Sequence, residues 1–240
     1  GLMTAVAPAN AAQAVSAMTV GTVPPARAGV ASYIPVKATF AAIAASGSGT
    51  YVMAAKVLSA PTGSVTYNNA TSVTGLLSFY ENSSSLSISD TSTTAFTNTS
   101  GKFNMQYTGT INVTNTSTTA TRTTATVDVL FTPDVAGTYQ ILVSAGHSTY
   151  TTGDASAVIT LTTAGTPTSI AITKLAGAVV TGGTNGQLFE VDLTDANGNA
   201  TSLAPNEALT VTTTDTQVSI TTTSVVSGAF GVNDDSDGSY

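Results

Sequence analysis

The 240-residue sequence predicts an all-β fold arranged as two successive sandwich units, on three observations. Threonine makes up about a fifth of the chain and serine about a tenth, and both favour strands and turns over helices. Glu/Lys/Leu-rich stretches that would supply exposed helix faces are missing, and the long apolar runs mix Ala, Val, Ser and Thr and are broken by Gly and Pro. Many runs have the length and the β-branched or aromatic content of strands, with Gly, Asn, Ser or Pro between them. With 42% hydrophobic residues the chain can bury real cores, and its length suits one large or two ordinary domains.

Residues 1–24 form an apolar opening rich in small residues. The ANA at 9–11 and the AQA at 12–14 match the cleavage region of a secretory signal, and the stretch reads equally as an N-terminal extension that docks on a neighbouring subunit. The Pro24-Pro25 break ends it. Strands are then predicted at 34–44, 51–59, 72–80, 102–113, 121–131, 138–145 and 157–163, making one sandwich over 25–165. Within TATVDVLF the alternation puts Ala125, Val127 and Val129 on one inward face. The Ser/Thr/Asn-rich tracts 81–101 and 112–124 are predicted as loops and hairpin tips. A second unit, 166–240, opens after the AGTPTS break, with strands predicted at 169–174, 188–193, 208–213 and 217–223. It then runs into SGAFGVNDDSDGSY, and the sandwich is expected to be incomplete there, finished by chain beyond Tyr240 or by a strand from another subunit.

Only 8% of residues are charged, about a third of the usual share. Up to Gly165, Arg27, Lys37, Lys56, Lys102 and Arg122 balance Glu81, Asp90, Asp128, Asp134 and Asp154. Beyond it eight acids face Lys174 alone, so the net charge of -7 belongs to the C-terminal third. Nucleic acid is therefore not an expected partner, because it requires basic patches; divalent cations suit this polarity better. Cysteine is absent, which excludes a disulfide scaffold and Cys-ligated zinc or iron–sulfur centres. Apart from the opening stretch, nothing approaches the roughly 18 apolar residues of a membrane-spanning helix, so no span is expected.

No catalytic residues are predicted. The single histidine, His147, follows VSAG as a loop residue, and GxSxG, HExxH and Walker sequences do not occur. The best candidate site is NDDSDG, where Asn233, Asp235 and Asp237 alternate ahead of Gly238 as in the first half of an oxygen-ligand calcium loop. A hard cation needs several converging oxygens, which this spacing supplies; the competing reading is an acidic, solvated turn. A second cluster of Asp192, Asp195, Asn197 and Asn199 offers further calcium oxygens, against a turn reading that is stronger here. Calcium is the one cofactor these residues point to. Six Asn-x-Ser/Thr sequons begin at Asn69, Asn82, Asn98, Asn112, Asn115 and Asn199, candidate glycosylation sites of a secreted protein. With 13 asparagines and this much Ser and Thr, about four sequons arise by chance, so the excess is small.

The stretch FTPDVAGTYQILVSAG, 131–146, resembles the late-strand signature of bacterial immunoglobulin-like repeats, in which a P-x-x-A-G-x-Y turn feeds a strand and Tyr139 packs at the corner. The stretch 167–201, with its D-x-x-G-N turn at Asp195, Gly198 and Asn199, resembles the opening of another such repeat. The resemblance implies tandem immunoglobulin-like β-sandwiches, the second incomplete, in an extracellular cell-surface protein that is not an enzyme. Low charge, abundant Thr and absent Cys resemble S-layer proteins most closely. The implied function is that of a structural subunit in a self-assembling surface lattice or filament, with identical subunits as partners and cell-envelope glycans as further ones. Alternatives are an adhesin stalk, a carbohydrate-binding surface module or a virion decoration protein; aromatic residues crowded on one exposed face would favour a sugar-binding role, but Trp is absent and aromatics make up only 6% of the chain, which counts against it.

Overall fold

The computed structural model describes residues 11–92, 95–146, 154–174, 189–210 and 224–226. These residues form strands and connecting turns, with no helix among them. The first strands are β1 (Ala11–Ala12), β2 (Val15–Val20), β3 (Ala26–Arg27), β4 (Ser32–Ile43), β5 (Ser48–Ser59) and β6 (Leu77–Tyr80). Next come β7 (Leu86–Ser92), β8 (Phe96–Thr97), β9 (Phe103–Asn104), β10 (Gln106–Thr114), β11 (Arg122–Phe131) and β12 (Gly137–Gly146). The last are β13 (Ala155–Ala164), β14 (Ser169–Lys174), β15 (Phe189–Thr194), β16 (Ala208–Thr210) and β17 (Ser224–Val226). The chain divides into two compact units that interleave along the sequence: the first takes Gly1–Val23, Tyr33–Phe131 and Thr138–Thr160, and the second takes Pro24–Ser32, Thr132–Gly137 and Leu161–Tyr240.

In the first unit two sheets face each other. One runs β13-β12-β5-β10-β7, with β1 also on β5, and the other runs β2-β4-β11-β6. Period-2 alternation of apolar and polar residues explains why they stack, since it gives each strand one face to bury. Ile34, Val36, Ala38 and Phe40 of β4 and Ala125, Val127, Val129 and Phe131 of β11 are buried on one side of the interface. Tyr51, Met53, Ala55 and Val57 of β5 and Tyr139, Ile141, Val143 and Ala145 of β12 are buried on the other. Aromatic pairs stitch the two layers: Phe40 meets Tyr51 with centroids 5.9 Å apart, Phe79 meets Tyr107 at 5.0 Å, and Phe131 meets Tyr139 edge-on at 5.1 Å. Tyr139, expected at a corner, is thus a fully buried core residue.

Two segments read as loops or as an extension take part in the sheets. Val15–Val20 is the terminal strand beside β4, with Val15 and Met18 buried. Leu86–Ser92 is the terminal strand beside β10, where Leu86 turns inward and the intervening serines turn outward. Its ladder carries a register shift between Thr108 and Thr110. Gly109 lies at that shift, where a Cβ would meet Ile88 Cγ2 at 3.1 Å and the Phe79 ring at 3.4 Å, so the close packing depends on the missing side chain.

The core also contains a polar liability. Tyr51 is 1% exposed and its Oη has no hydrogen-bond partner among the described residues. Burial pushes the hydroxyl's pKa well above the ordinary tyrosine value, partly opposed by the Arg122 charge. Tyr51→Phe removes an unsatisfied buried group while keeping the ring against Phe40. It is expected to stabilise the protein by about 1 kcal/mol in urea denaturation; a loss of stability would show that the hydroxyl is paired in solution.

In the second unit β3 pairs with Thr163 and Ala164 at the end of β13, β14 pairs with β15, and β16 pairs with β17. The predicted strand 169–174 is observed, and that at 188–193 is seen as β15. The predicted strand at 217–223 lies outside the described residues.

Candidate functional site

Of the calcium candidates, Asn233, Asp235 and Asp237 lie outside the described residues, as does His147. Asp192 sits within β15 opposite Ala171, half-buried. Asp195 opens the turn that follows, and its bonding is dense. Oδ1 accepts the N–H groups of Asn197 and Asn199, both at 2.9 Å, while Oδ2 accepts the N–H of Gly165 at 2.8 Å and Asn199 Nδ2 at 3.3 Å. Gly198, at φ 79°, lets the chain reverse so that the Asp195 N–H reaches Asn199 O at 2.9 Å. The Gly165 N–H above all, then that of Asn199, holds the Asp195 pKa down to about 2. Four N–H donors occupy the carboxylate's four lone-pair positions, so Asp195 acts as the staple of its turn. Among the described residues no three His, Cys, Asp or Glu side chains converge as metal ligands.

The sequon asparagines share that character, since each uses its amide nitrogen within the fold. Asn69 Nδ2 donates to Thr71 O at 2.9 Å, Asn98 Nδ2 to Asn68 Oδ1 at 3.1 Å, and Asn112 Nδ2 to Ser89 Oγ at 3.1 Å. Asn82 Nδ2 reaches Asp128 Oδ1 at 3.2 Å, and Asn199 serves Asp195 as above. Asn115 goes furthest. It is buried, its Nδ2 donates to Ile43 O, Ala44 O and Ala120 O at 3.1, 2.9 and 2.9 Å, and its Oδ1 accepts the Ser117 N–H at 3.1 Å. The segment it holds, expected as a loop or hairpin tip, is a loop that links β10 of one sheet to β11 of the other.

Two further constellations escaped the sequence reading. In the second unit the guanidinium of Arg27, 6% exposed, makes a two-pronged ion pair with Glu207: Nη1 on Oε2, and Nη2 on Oε1 at 2.9 Å. Arg27 Nη1 also donates to Ser202 O at 2.8 Å, and Glu207 Oε2 accepts the Ala204 N–H at 3.1 Å. The Arg27 hydrogen bonds, then the Ala204 N–H, hold the Glu207 pKa down to about 2. Glu207 also borders an open cleft of about 300 Å³ lined by Pro167, Ile170, Leu193, Leu203 and Leu209.

The other constellation lies on the outer face of the four-stranded sheet. Because Ser32 and Ile34 point inward, Tyr33 points out; because Val127 and Val129 point inward, Asp128 points out. Tyr80 of β6 stands directly opposite Asp128. β11 lies between β4 and β6, and the two tyrosine rings meet across it, edge to face, with centroids 5.2 Å apart and planes at 81°. Tyr33 and Tyr80 remain 42% and 49% exposed. Burial raises the Asp128 pKa above the ordinary value, opposed by the Asn82 hydrogen bond. Asp128 Oδ1 takes that bond, and Oδ2 has no hydrogen-bond partner within the described residues. The strand alternation announces each outward side chain singly, but only the sheet order brings them together.

Among the described residues no helix is long and apolar enough to cross a membrane. No protein-family model matches the chain, and no curated protein resembles it at a significant level.

Proposed function

We propose that this chain is a structural module of an extracellular surface lattice or filament, built from immunoglobulin-like units, whose work is packing against copies of itself. The observation that carries the reading is electrostatic. The first unit holds four basic residues (Lys37, Lys56, Lys102, Arg122) and four acidic ones (Glu81, Asp90, Asp128, Asp154), so it is neutral and sparsely charged. Surfaces of this kind do not repel their copies, and net charge near zero favours association. Val158 and Phe96 of the same unit are exposed, adding apolar contact area. The acidic surplus beyond Gly165, ending in Asn233, Asp235 and Asp237, supplies oxygens for calcium to bridge neighbouring subunits.

Electron microscopy of the purified protein, with calcium and with a chelator, tests this directly. Sheets or filaments are expected with calcium, and chelation is expected to dissolve them. Persistent monomers under both conditions, across the concentration range of sedimentation analysis, would overturn the assembly reading.

A further inference from the structure

We propose that the outer face of the four-stranded sheet, at Tyr33, Tyr80, Asp128 and Asn82, binds a neutral sugar residue of a glycan. The inference stands on this patch alone and holds whether or not the chain assembles. Sugar recognition needs an exposed aromatic face to stack on the C–H side of the ring, and adjacent polar groups to receive and donate hydroxyl hydrogen bonds. The two tyrosines, each nearly half exposed, supply the first. Asp128 supplies the second: its Oδ2 has no partner within the described residues, and its Oδ1 is tethered by Asn82 at 3.2 Å, which fixes the carboxylate. A charged acceptor so oriented takes a hydroxyl hydrogen more strongly than a neutral one. Asn82 is exposed, and its carbonyl and second amide hydrogen offer complementary polarity beside it.

Two other ligand classes fit less well. An aromatic cage for a quaternary ammonium needs space between its rings, and here the rings are in contact, with centroids 5.2 Å apart. An acidic sugar or phosphate would face the Asp128 carboxylate. The site is shallow, so a single sugar unit is expected to bind with a Kd on the order of 1 mM, and repeated units on a polymer more tightly through multivalency.

The test is a glycan array followed by ligand-observed NMR titration of the full chain, made in a host without N-glycosylation so that Asn82 carries no sugar. The probes are neutral glucan, mannan, galactan and chitin oligosaccharides, with tetramethylammonium as the competing ligand. At least one neutral oligosaccharide is expected to bind. Tyr80→Ala and Asp128→Asn are each expected to weaken it roughly tenfold or more, while Tyr80→Phe retains most of the affinity. Tyr80 is exposed, so its variants should unfold at the parent temperature; Asp128→Asn gives a second reading that leaves the aromatic pair intact. The proposal is overturned if no oligosaccharide binds at about ten times the expected Kd, if binding survives the combined Tyr33→Ala and Tyr80→Ala substitutions, or if tetramethylammonium binds there and the sugars do not.

Discussion

Glu207→Ala is expected to destabilise the second unit by about 3–5 kcal/mol, much of the stability of an ordinary domain. The substitution strands the Arg27 guanidinium, 6% exposed, without its counterion, and Arg27 Nε already lacks a partner among the described residues. Arg27→Met should cost less, about 1–2 kcal/mol, because the Glu207 side chain is 34% exposed, can turn to water, and keeps its bond from the Ala204 N–H. The asymmetry is the diagnostic, read from the midpoint of a urea transition; equal or reversed costs would show that the pair does not hold the unit. Acid should act on the same element. The folded pKa values of Glu207 and Asp195 both lie near 2, below those of an unfolded carboxylate. Their contribution is therefore present above the unfolded pKa and is lost as the pH falls from about 5 toward 2. Glu207→Gln should flatten that part of the acid transition.

Asn115→Ala is expected to cost about 2–4 kcal/mol in the first unit, since it leaves three main-chain carbonyls and the Ser117 N–H without the amide that serves them. Asn115→Asp should be worse at neutral pH, because a carboxylate oxygen would face carbonyls that now accept hydrogen bonds. Ser117→Ala removes the sequon while leaving the amide in place, and forfeits only exposed bonds to Thr119 and Ala120. It should be mild. If Ser117→Ala costs as much as Asn115→Ala, the amide staple is not what secures the crossing between the sheets.

How much of this was legible in the sequence depended on whether the signal was local. Alternation identified β11, where Ala125 to Phe131 bury every second side chain, while β4 and β12 were legible from run length and from β-branched and aromatic content between turn residues. The Asp195 turn was legible from Gly198 and Asn199. β7 was missed because its apolar members, Leu86 and Ile88, sit among serines that mimic a loop, and only the pairing with β10 makes it a strand. The sequons were ambiguous by nature, since a short amide that suits a glycan acceptor equally suits a turn or ladder staple. Arg27 and Glu207 gave no local signal at all, one following a Pro-Pro break and the other lying in a different part of the chain. Tyr33, Asp128 and Tyr80 come from three separate strands, so their meeting is a property of sheet order.

The interleaving of the two units has a consequence in time. Arg27 and Glu207 are 180 residues apart, and Pro24–Ser32 belongs to a unit whose other strands come from 161 onward. At ordinary rates of synthesis the ribosome needs about 10–40 s to cover that distance. The first unit's strands are all made by Thr160, so it can close while Arg27 is still waiting, solvated, for a carboxylate not yet made. The second unit therefore cannot be completed until its C-terminal part is made, and a fragment beginning at residue 166 would lack the strand and the cation that belong to it.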